Sequence, residues 1–376
     1  MNIPSSILTD SKNTKDIYLP TILRLEHSQD KASFDALFRD HKVSFVFDEL
    51  YPQLQELVKC KNPSLLITEA EYPDLINKHL DGKEMAEYGV WVYYPWNQRL
   101  VHLLDEDEFI EVRTNRNRNK ITTEEQNVLK TKKIGVVGLS VGQSIALTIA
   151  MERTCGELRL ADFDTAELSN LNRIRTGVHN LGLNKTVIAA REILEIDPFL
   201  NVKIFVDGLN EGNMDSFFLE GGKLDVFVEV CDGLDLKIIS RFKAREYQIP
   251  VVMDTNDRGM IDVERFDTEP ERAIFHGLAE GLDPQTIKDL TNEEKIPHIL
   301  KMIGAETMSD RLKASMLEVR KSINTWPQLA SSVTLGGAAT TDVCRRILLD
   351  QFHDSGRYYV DLDEIIGDKP NATSAS

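Results

Sequence analysis

Two short stretches of this sequence carry residues that could bind a phosphorylated ligand. The first is a turn of small residues between a β-branched run and a helix-period segment, with Gly138, Ser140 and Gly142 at alternate positions. Such a strand, turn and helix point backbone amides and the helix dipole at one place, where they attract phosphate. The second is Asp162, which ends the next strand pattern and could accept hydrogen bonds from ribose hydroxyls. Together they predict a nucleotide site.

The glycine turn alone fits two kinds of protein. Read as G-x-S-x-G, it matches the nucleophile elbow of α/β-hydrolases, with Ser140 as the nucleophile. Read as G-x-G-x-x-G, it matches the dinucleotide fingerprint, with Ser140 and Gln143 in place of the second and third glycines. A hydrolase elbow requires nothing of the following strand, whereas a nucleotide site requires a carboxylate at its end. Asp162 therefore favours the nucleotide site.

A more specific motif, D-F-D-x-x-x-x-S-N-L-N-R, runs from Asp162 to Arg173. It resembles the adenylating domain shared by ThiF, MoeB and the ubiquitin-activating enzymes. The resemblance implies that Asp162 binds ribose and that a lysine inside G-x-x-K, here Lys185, contacts phosphate. It also implies that the rest of the nucleotide site is formed by Gly138, Ser140, Gly142, Asp164, Ser169, Asn170 and Arg173.

The same resemblance implies a magnesium ligand and a second subunit. In that family an aspartate after the fourth strand of the domain holds Mg²⁺, and the matching residue is Asp232. Similar enzymes are homodimers in which an arginine upstream of the first strand reaches the partner's ATP. Arg116 is the first candidate for that role, with Arg113 and Arg118 close behind.

The function implied is ATP-dependent adenylyl transfer. A carboxylate attacks the α-phosphorus of ATP and pyrophosphate leaves, with Asp232, Arg173, Lys185 and Arg116 as the catalytic residues. A small ubiquitin-like protein or a peptide C-terminus is one candidate carboxylate. Residues 265–343 contain no cysteine where relatives carry a thioester cysteine, so we expect the reaction to end at the acyl-adenylate. The paired C-x-x-C motifs of many relatives are also missing, so we expect no structural zinc.

Two other functions fit part of the pattern. A nicotinamide-dependent oxidoreductase would use the same turn and Asp162, but it does not account for the Ser169 to Arg173 segment or for Lys185. A nucleotide-binding relative with reduced catalysis is the other alternative. Ser140 and Gln143 bring β-carbons to places where the fingerprint has glycines, and these could crowd the phosphates.

The elements that must position these residues alternate steadily from Lys133 onwards. Strand and helix patterns follow one another as far as residue 266, which predicts an α/β protein with a doubly wound, Rossmann-like, mainly parallel sheet. We expect a small N-terminal α/β domain with an aromatic hairpin over residues 1–110 and the nucleotide-binding domain over 111–266. A helical insertion over 267–328 and a segment 329–376 with a closing helix, an edge strand and a disordered tail would follow.

Within the N-terminal part, the patterns predict an extended arm over residues 1–30 and short strands over Val43 to Phe47 and Ser64 to Thr68. Between those two strands, Tyr51 to Val58 is expected to be helical. The hairpin is predicted over residues 90–104, and Thr122 with Glu125 has the spacing of a capping box at a helix start. Arg113, Arg116 and Arg118 are expected in the connector ahead of that helix.

Composition and charge narrow the range of partners and cellular locations. The chain has 376 residues, 41% of them hydrophobic, with a net charge of −17 and a pI near 5.0. Such a field repels polyphosphate, which argues against nucleic acids and anionic membranes as partners. No apolar run approaches ~18 residues and no signal pattern opens the chain, so we expect a cytoplasmic protein.

Overall fold

The computed structural model describes residues 14–368. They divide into two compact units, one made of residues 14–126 and 190–200, the other of residues 127–189 and 201–368. No helix of the described part of the chain is long and apolar enough to cross a membrane.

The first unit is built on a four-stranded sheet. Its strands lie in the order β1-β3-β4-β2, and the predicted hairpin is the antiparallel pair β3–β4. Thr122 and Glu125 form the predicted capping box, with the Glu125 amide donating to Thr122 Oγ1 at 3.2 Å. The elements are β1 (Thr21–Leu23), α1 (Ser28–Arg39), β2 (Phe45–Asp48), α2 (Leu50–Lys61), α3 (Tyr72–Leu80), β3 (Val90–Tyr94), β4 (Arg99–Leu103), α4 (Glu106–Arg113) and α5 (Thr123–Leu129).

The second unit begins with the predicted βα alternation. Its central strands are buried at nearly every position, which suits a parallel sheet covered on both faces. The elements are β5 (Lys133–Val137), α6 (Gly142–Glu152), β6 (Glu157–Ala161), α7 (Lys185–Ile196), β7 (Asn201–Phe205), α8 (Met214–Leu219), β8 (Val226–Glu229), α9 (Leu234–Glu246), β9 (Val251–Thr255), β10 (Met260–Glu264), α10 (Thr286–Asp289), α11 (Asn292–Ile303), α12 (Asp310–Met316), α13 (Ala330–Leu348), β11 (Gly356–Tyr359) and α14 (Leu362–Ile365).

The seven strands of this unit lie in the order β11-β10-β9-β8-β5-β6-β7. All pairs from β9 to β7 are parallel, and β10 and β11 extend the sheet as antiparallel strands. The predicted doubly wound, mainly parallel sheet is therefore confirmed. The chain order reverses between β5 and β8, and ligands of such folds bind at the carboxyl ends of the strands beside that reversal.

Three element predictions were wrong. Residues 64–68 form no strand, because this apolar segment gains no strand neighbour and leaves the Leu66 side chain 98% exposed. The predicted arm contains β1, which pairs with β3. Arg113 is the last residue of α4 rather than part of a connector. The tail after residue 368 lies outside the described residues.

A buried cluster of charges lies beneath the C-terminal edge of the sheet. The guanidinium of Arg241, on α9, bonds Glu229 at the end of β8 and donates from Nε to Glu264 Oε2 on β10 at 2.7 Å. All three side chains are fully buried. Burial alone would raise the pKa of Glu229, but the charges of Lys237 and Arg241 lower it to about 2. These ion pairs join one helix to two strands of the sheet.

Replacing Arg241 with Ala would leave Glu229 and Glu264 without their shared counter-ion in the interior. We expect Arg241→Ala to lower the free energy of unfolding by about 3–5 kcal/mol, the usual cost of breaking a buried pair. Urea unfolding followed by circular dichroism measures this. The control is Arg311→Ala on the exposed surface of α12, which should change stability by less than about 0.5 kcal/mol. Equal effects of the two variants would contradict the prediction.

Candidate functional site

The turn between β5 and α6 requires its first glycine. Gly138 has a φ of +88°, and a β-carbon there would lie 2.7 Å from the Val230 carbonyl oxygen. Its amide donates to the Ala161 carbonyl at 3.0 Å, which ties the turn to the end of β6. Helix α6 then starts at Gly142, so its N-terminal amides lie at the switch-point edge of the sheet.

Asp162 lies directly after β6 and is 7% exposed. Its Oδ2 accepts from the Leu139 amide at 2.6 Å and its Oδ1 accepts from the Asp164 amide at 2.8 Å. Burial raises the pKa of Asp162, and these two amides together with the charge of Lys185 oppose that rise. The carboxylate therefore joins the glycine turn to the segment that follows β6.

Lys185 opens α7, and its side chain is 7% exposed. Its Nζ pairs with Asp164 Oδ2 at 2.7 Å, and its backbone amide donates to the Asp164 carbonyl at 2.9 Å. The Asp164 side chain is itself 52% exposed. An incoming phosphate could therefore replace this carboxylate as the partner of the ammonium group.

The S-N-L-N-R segment forms a 3-10 turn over Leu168–Asn172 that brings Arg173 to the same edge. The buried Asn170 accepts from the Glu167 amide at 3.0 Å and so stabilises the start of this turn, whereas Ser169 is exposed. Arg173 donates from Nε to Ser140 Oγ at 3.0 Å. Burial lowers the pKa of Arg173, and the negative charge of Asp232 acts against that decrease.

Asp232 is exposed, three residues after the end of β8. Residues 14–368 contain no group of three or more His, Cys, Asp or Glu arranged to hold a metal. Mg²⁺ in nucleotide sites commonly needs only one or two carboxylates, because phosphates and water supply the other ligands. A single exposed carboxylate beside Arg173 fits this mode of binding.

The structure brings most of the candidate residues to one edge of the second unit. Gly138, Ser140 and Gly142 lie in the turn, and backbone or side-chain contacts join it to Asp162 and Arg173. Arg116 lies in the first unit, in a 3-10 turn over Asn115–Asn117.

The three upstream arginines differ in their surroundings. Arg113 is paired with the buried Asp197 at 2.8 Å, and Arg118 lies 3.4 Å from Glu111. Arg116 is exposed and forms no ion pair within the described part of the chain. Of the three guanidinium groups, that of Arg116 is the most available to a ligand.

Cys231 lies beside Asp232, but its thiol faces the sheet. Its Sγ donates to Glu229 Oε1 at 3.0 Å, and its amide donates to the same oxygen at 2.9 Å. Burial and the charge of Glu229 raise the pKa of the Cys231 thiol well above its ordinary value. A thiol in this state is a poor nucleophile.

Asp254 lies near the end of β9 and is 5% exposed. Neither of its carboxylate oxygens has a hydrogen-bond partner among the described residues. A β-carbon at Gly336 on α13 would collide with this carboxylate, so the helix can pack here only through a glycine. Burial raises the pKa of Asp254 to about 7. A lone aspartate in a strand pattern gives no signal of such burial.

This pKa predicts a pH-dependent contribution to stability. An unfolded aspartate titrates near pH 4, so the proton bound by folded Asp254 stabilises the fold below about pH 4. That contribution is lost as the pH rises towards 7, up to about 4 kcal/mol in all. We expect Asp254→Asn to gain stability over the wild type between pH 4 and 7 and to keep this advantage at pH 8.

Urea unfolding at pH 4, 6 and 8 measures the difference. Ala314→Ser, at an exposed position on α12, changes no titratable group and should show a difference from wild type that does not change with pH. If the Asp254→Asn difference were equally constant, the carboxyl would not carry a proton in the folded state.

The fold is that of a Rossmann-like α/β protein. Its candidate site lies at the carboxyl ends of the parallel strands, beside the reversal of strand order between β5 and β8. The sequence profile described as "ThiF family" matches residues 114–333. The chain belongs to the ThiF family.

Two relatives and one solved structure illustrate the similarity. The uncharacterized protein MT1398 of Mycobacterium tuberculosis (strain CDC 1551 / Oshkosh) is 43% identical over 91% of this chain and 45% of its own length. The probable molybdopterin-synthase adenylyltransferase of Porphyra purpurea is 39% identical over 23% of each chain. The chain spans less than half the length of either relative.

The solved structure is that of E. coli tRNA N6-threonylcarbamoyladenosine dehydratase, TcdA, in complex with AMP. It aligns with a TM-score of 0.47 and 17% identity, covering 65% of this chain and 97% of that one.

Proposed function

We propose that the protein is an ATP-dependent adenylyltransferase that converts a carboxylate into an acyl-adenylate and releases pyrophosphate. The observation that carries this proposal is the convergence of Asp162, Lys185, Arg173 and Asp232 around the β5–α6 turn. Family membership supports it, and one relative carries the name of an adenylyltransferase.

The chemistry requires neutralisation of charge more than proton transfer. A carboxylate oxygen attacks the α-phosphorus, the bond from that phosphorus to the bridging oxygen breaks, and pyrophosphate leaves with its negative charge. Lys185 and Arg173 can each bring a positive charge to the phosphates, and the α6 amides add a third positive group. The Asp162 carboxylate is available to orient the ribose.

Asp232 is the residue that would hold Mg²⁺. The ion, when bound, neutralises phosphate charge as pyrophosphate departs. Without a ligand, Arg173 lies close enough to offset part of the charge of Asp232. Asp232 would hold the ion, and Arg173, bonded to Ser140, would contribute its positive charge beside it.

We further propose a homodimer in which Arg116 enters the partner's site. Arg116 is exposed and unpaired within the described part of the chain, unlike Arg113, which is committed to Asp197. Under this proposal each site would be completed by an arginine from the other copy. Catalysis would then require assembly.

The acyl-adenylate would react with an external acceptor rather than with an enzyme thiol. Cys155 and Cys344 are buried and Cys60 is partly buried, and burial raises the pKa of all three thiols. Cys231 is bonded to Glu229. Protein and peptide C-termini are the carboxylates we favour, because a ubiquitin-like or peptide substrate is consistent with the family.

The first experiment is ATP–pyrophosphate exchange with ATP, Mg²⁺ and a panel of peptides and small carboxylic acids. We expect exchange in wild type, and a loss of about 100-fold or more in Lys185→Ala and Asp232→Asn, since each removes one electrostatic contact to the reacting phosphates. Lys313→Ala, on the exposed surface of α12, is the control and should retain full exchange.

Calorimetry with ATP·Mg²⁺ and with NAD accompanies this screen. A wild-type protein that binds NAD and ignores ATP would refute the proposal in favour of an oxidoreductase.

The dimer is tested by complementation. Arg116→Ala and Asp232→Asn should each be inactive alone, but a refolded equal mixture should regain about one quarter of wild-type exchange, because half of the dimers are mixed and each holds one intact site. A mixture of Arg39→Ala and Asp232→Asn controls for the loss of an exposed arginine in general. The Arg39 side chain is 71% exposed and has no assigned role. An active Arg116→Ala variant, or a mixture without recovery, would rule out a trans role.

A further inference from the structure

Gln143 carries an unusual pair of contacts for a residue at the start of a helix. It is 2% exposed, and its side-chain amide faces the backbone of Arg175. Nε2 donates to the Arg175 carbonyl at 2.9 Å, while Oε1 accepts from the Arg175 amide at 2.8 Å. Both polar atoms of one side chain therefore bind both polar groups of one peptide residue, as one strand binds its neighbour in a sheet.

Ser140 makes the second contact to the same segment. Its Oγ accepts from Arg173 Nε, and Arg173 NH1 donates to Asn172 Oδ1 at 2.8 Å. The side-chain Nδ2 of Asn172 in turn donates to the Gln328 carbonyl at 2.8 Å, just before α13. The contacts with Ser140 and Asn172 thus fix the orientation of the Arg173 guanidinium, and Gln328 holds the Asn172 side chain.

These are the two positions at which the fingerprint would carry glycine. A hydroxyl group has one donor and two acceptor sites, so Ser140 can accept from Arg173 and still donate its own proton. The Gln143 side chain lies against residue 175, and its atoms are engaged there. The side chains that the sequence suggested would obstruct the phosphates are instead bonded to the arginine segment.

We propose that Ser140 and Gln143 form a clamp that holds Arg173 ready for the nucleotide, with the Ser140 hydroxyl donating to a phosphate oxygen. Gln143 is a positioning residue, because it acts through the backbone of Arg175. The inference rests on the proposed function for the identity of the ligand, ATP. A turn made of glycines offers a phosphate only backbone amides. In this chain the Ser140 side chain would add a further contact to the phosphate.

Holding an arginine in place before binding has an energetic benefit. A long side chain loses rotamer freedom when it becomes ordered, and that loss weakens binding. A guanidinium already fixed by Ser140 and Asn172 loses less rotamer freedom when the nucleotide binds. The clamp therefore predicts that its removal weakens ATP binding without unfolding the protein.

The test measures ATP·Mg²⁺ binding by calorimetry in Ser140→Gly, Ser140→Ala and Ser140→Thr. We expect the Gly and Ala variants to bind about tenfold more weakly and Thr to retain binding, since it keeps the hydroxyl. Ser144→Ala, one residue beyond Gln143 on the same helix, is the matched control and should bind like wild type. If Ser140→Gly binds ATP as tightly as wild type or more tightly, the serine is an obstruction and the inference is overturned.

A double-variant cycle tests the partnership with Arg173. If Ser140 also positions Arg173, Ser140→Ala should weaken ATP binding by a smaller factor in the Arg173→Ala background than in wild type. Independent, multiplicative losses would overturn the pairing.

Gln143→Leu tests the other half of the clamp with a side chain of similar size. We expect hydrogen exchange at the Arg175 amide to accelerate at least tenfold and kcat for exchange of pyrophosphate to fall, while the melting temperature stays close to that of wild type. Unchanged protection of Arg175 would overturn the role of Gln143. A wild-type protein that binds no ATP would refute the proposed function. That outcome differs from a Ser140→Gly variant that binds ATP as tightly as wild type, which would overturn only this inference.

Discussion

The site depends on one carboxylate that accepts two backbone amides. Asp162 binds the Leu139 amide from the turn after β5 and the Asp164 amide from the segment after β6. Those two segments belong to neighbouring parallel strands, so a single side chain sets the distance between the α6 N-terminus and the residues that precede α7. Asp164 then holds Lys185, so the position of that ammonium group follows from this first contact.

Beneath this edge, the interior is stabilised by charge as well as by apolar contact. Glu229 ends β8, and its oxygens bind Arg241, Lys237 and the amide of Cys231. Asp232, the residue after Cys231, is exposed. The buried ion pairs therefore anchor the base of the loop that carries the candidate metal ligand, because the loop cannot shift without separating charges in the interior.

The sequence allowed the sheet and most strand and helix bounds to be predicted, because βα alternation and apolar strands are local patterns. Asp162, Arg173 and Lys185 were also accessible, through a motif of fixed spacing. Three features could not be predicted from the sequence. The strand over residues 64–68 failed because an apolar run does not reveal whether a neighbour exists to pair with it. The contacts of Gln143 and the burial of Asp254 depend on residues far away in sequence, so no local pattern indicates either.

The close approach of Gly336 to Asp254 has a consequence for the history of this chain. A larger residue at 336 can be accepted only after the acid at 254 has become smaller, and a change at 254 removes the reason for a glycine in α13. The two positions, 82 apart in sequence, should therefore vary together among descendants of a common ancestor. A larger residue at 336 with the aspartate still at 254 would pass through an intermediate whose closing helix is displaced from the sheet.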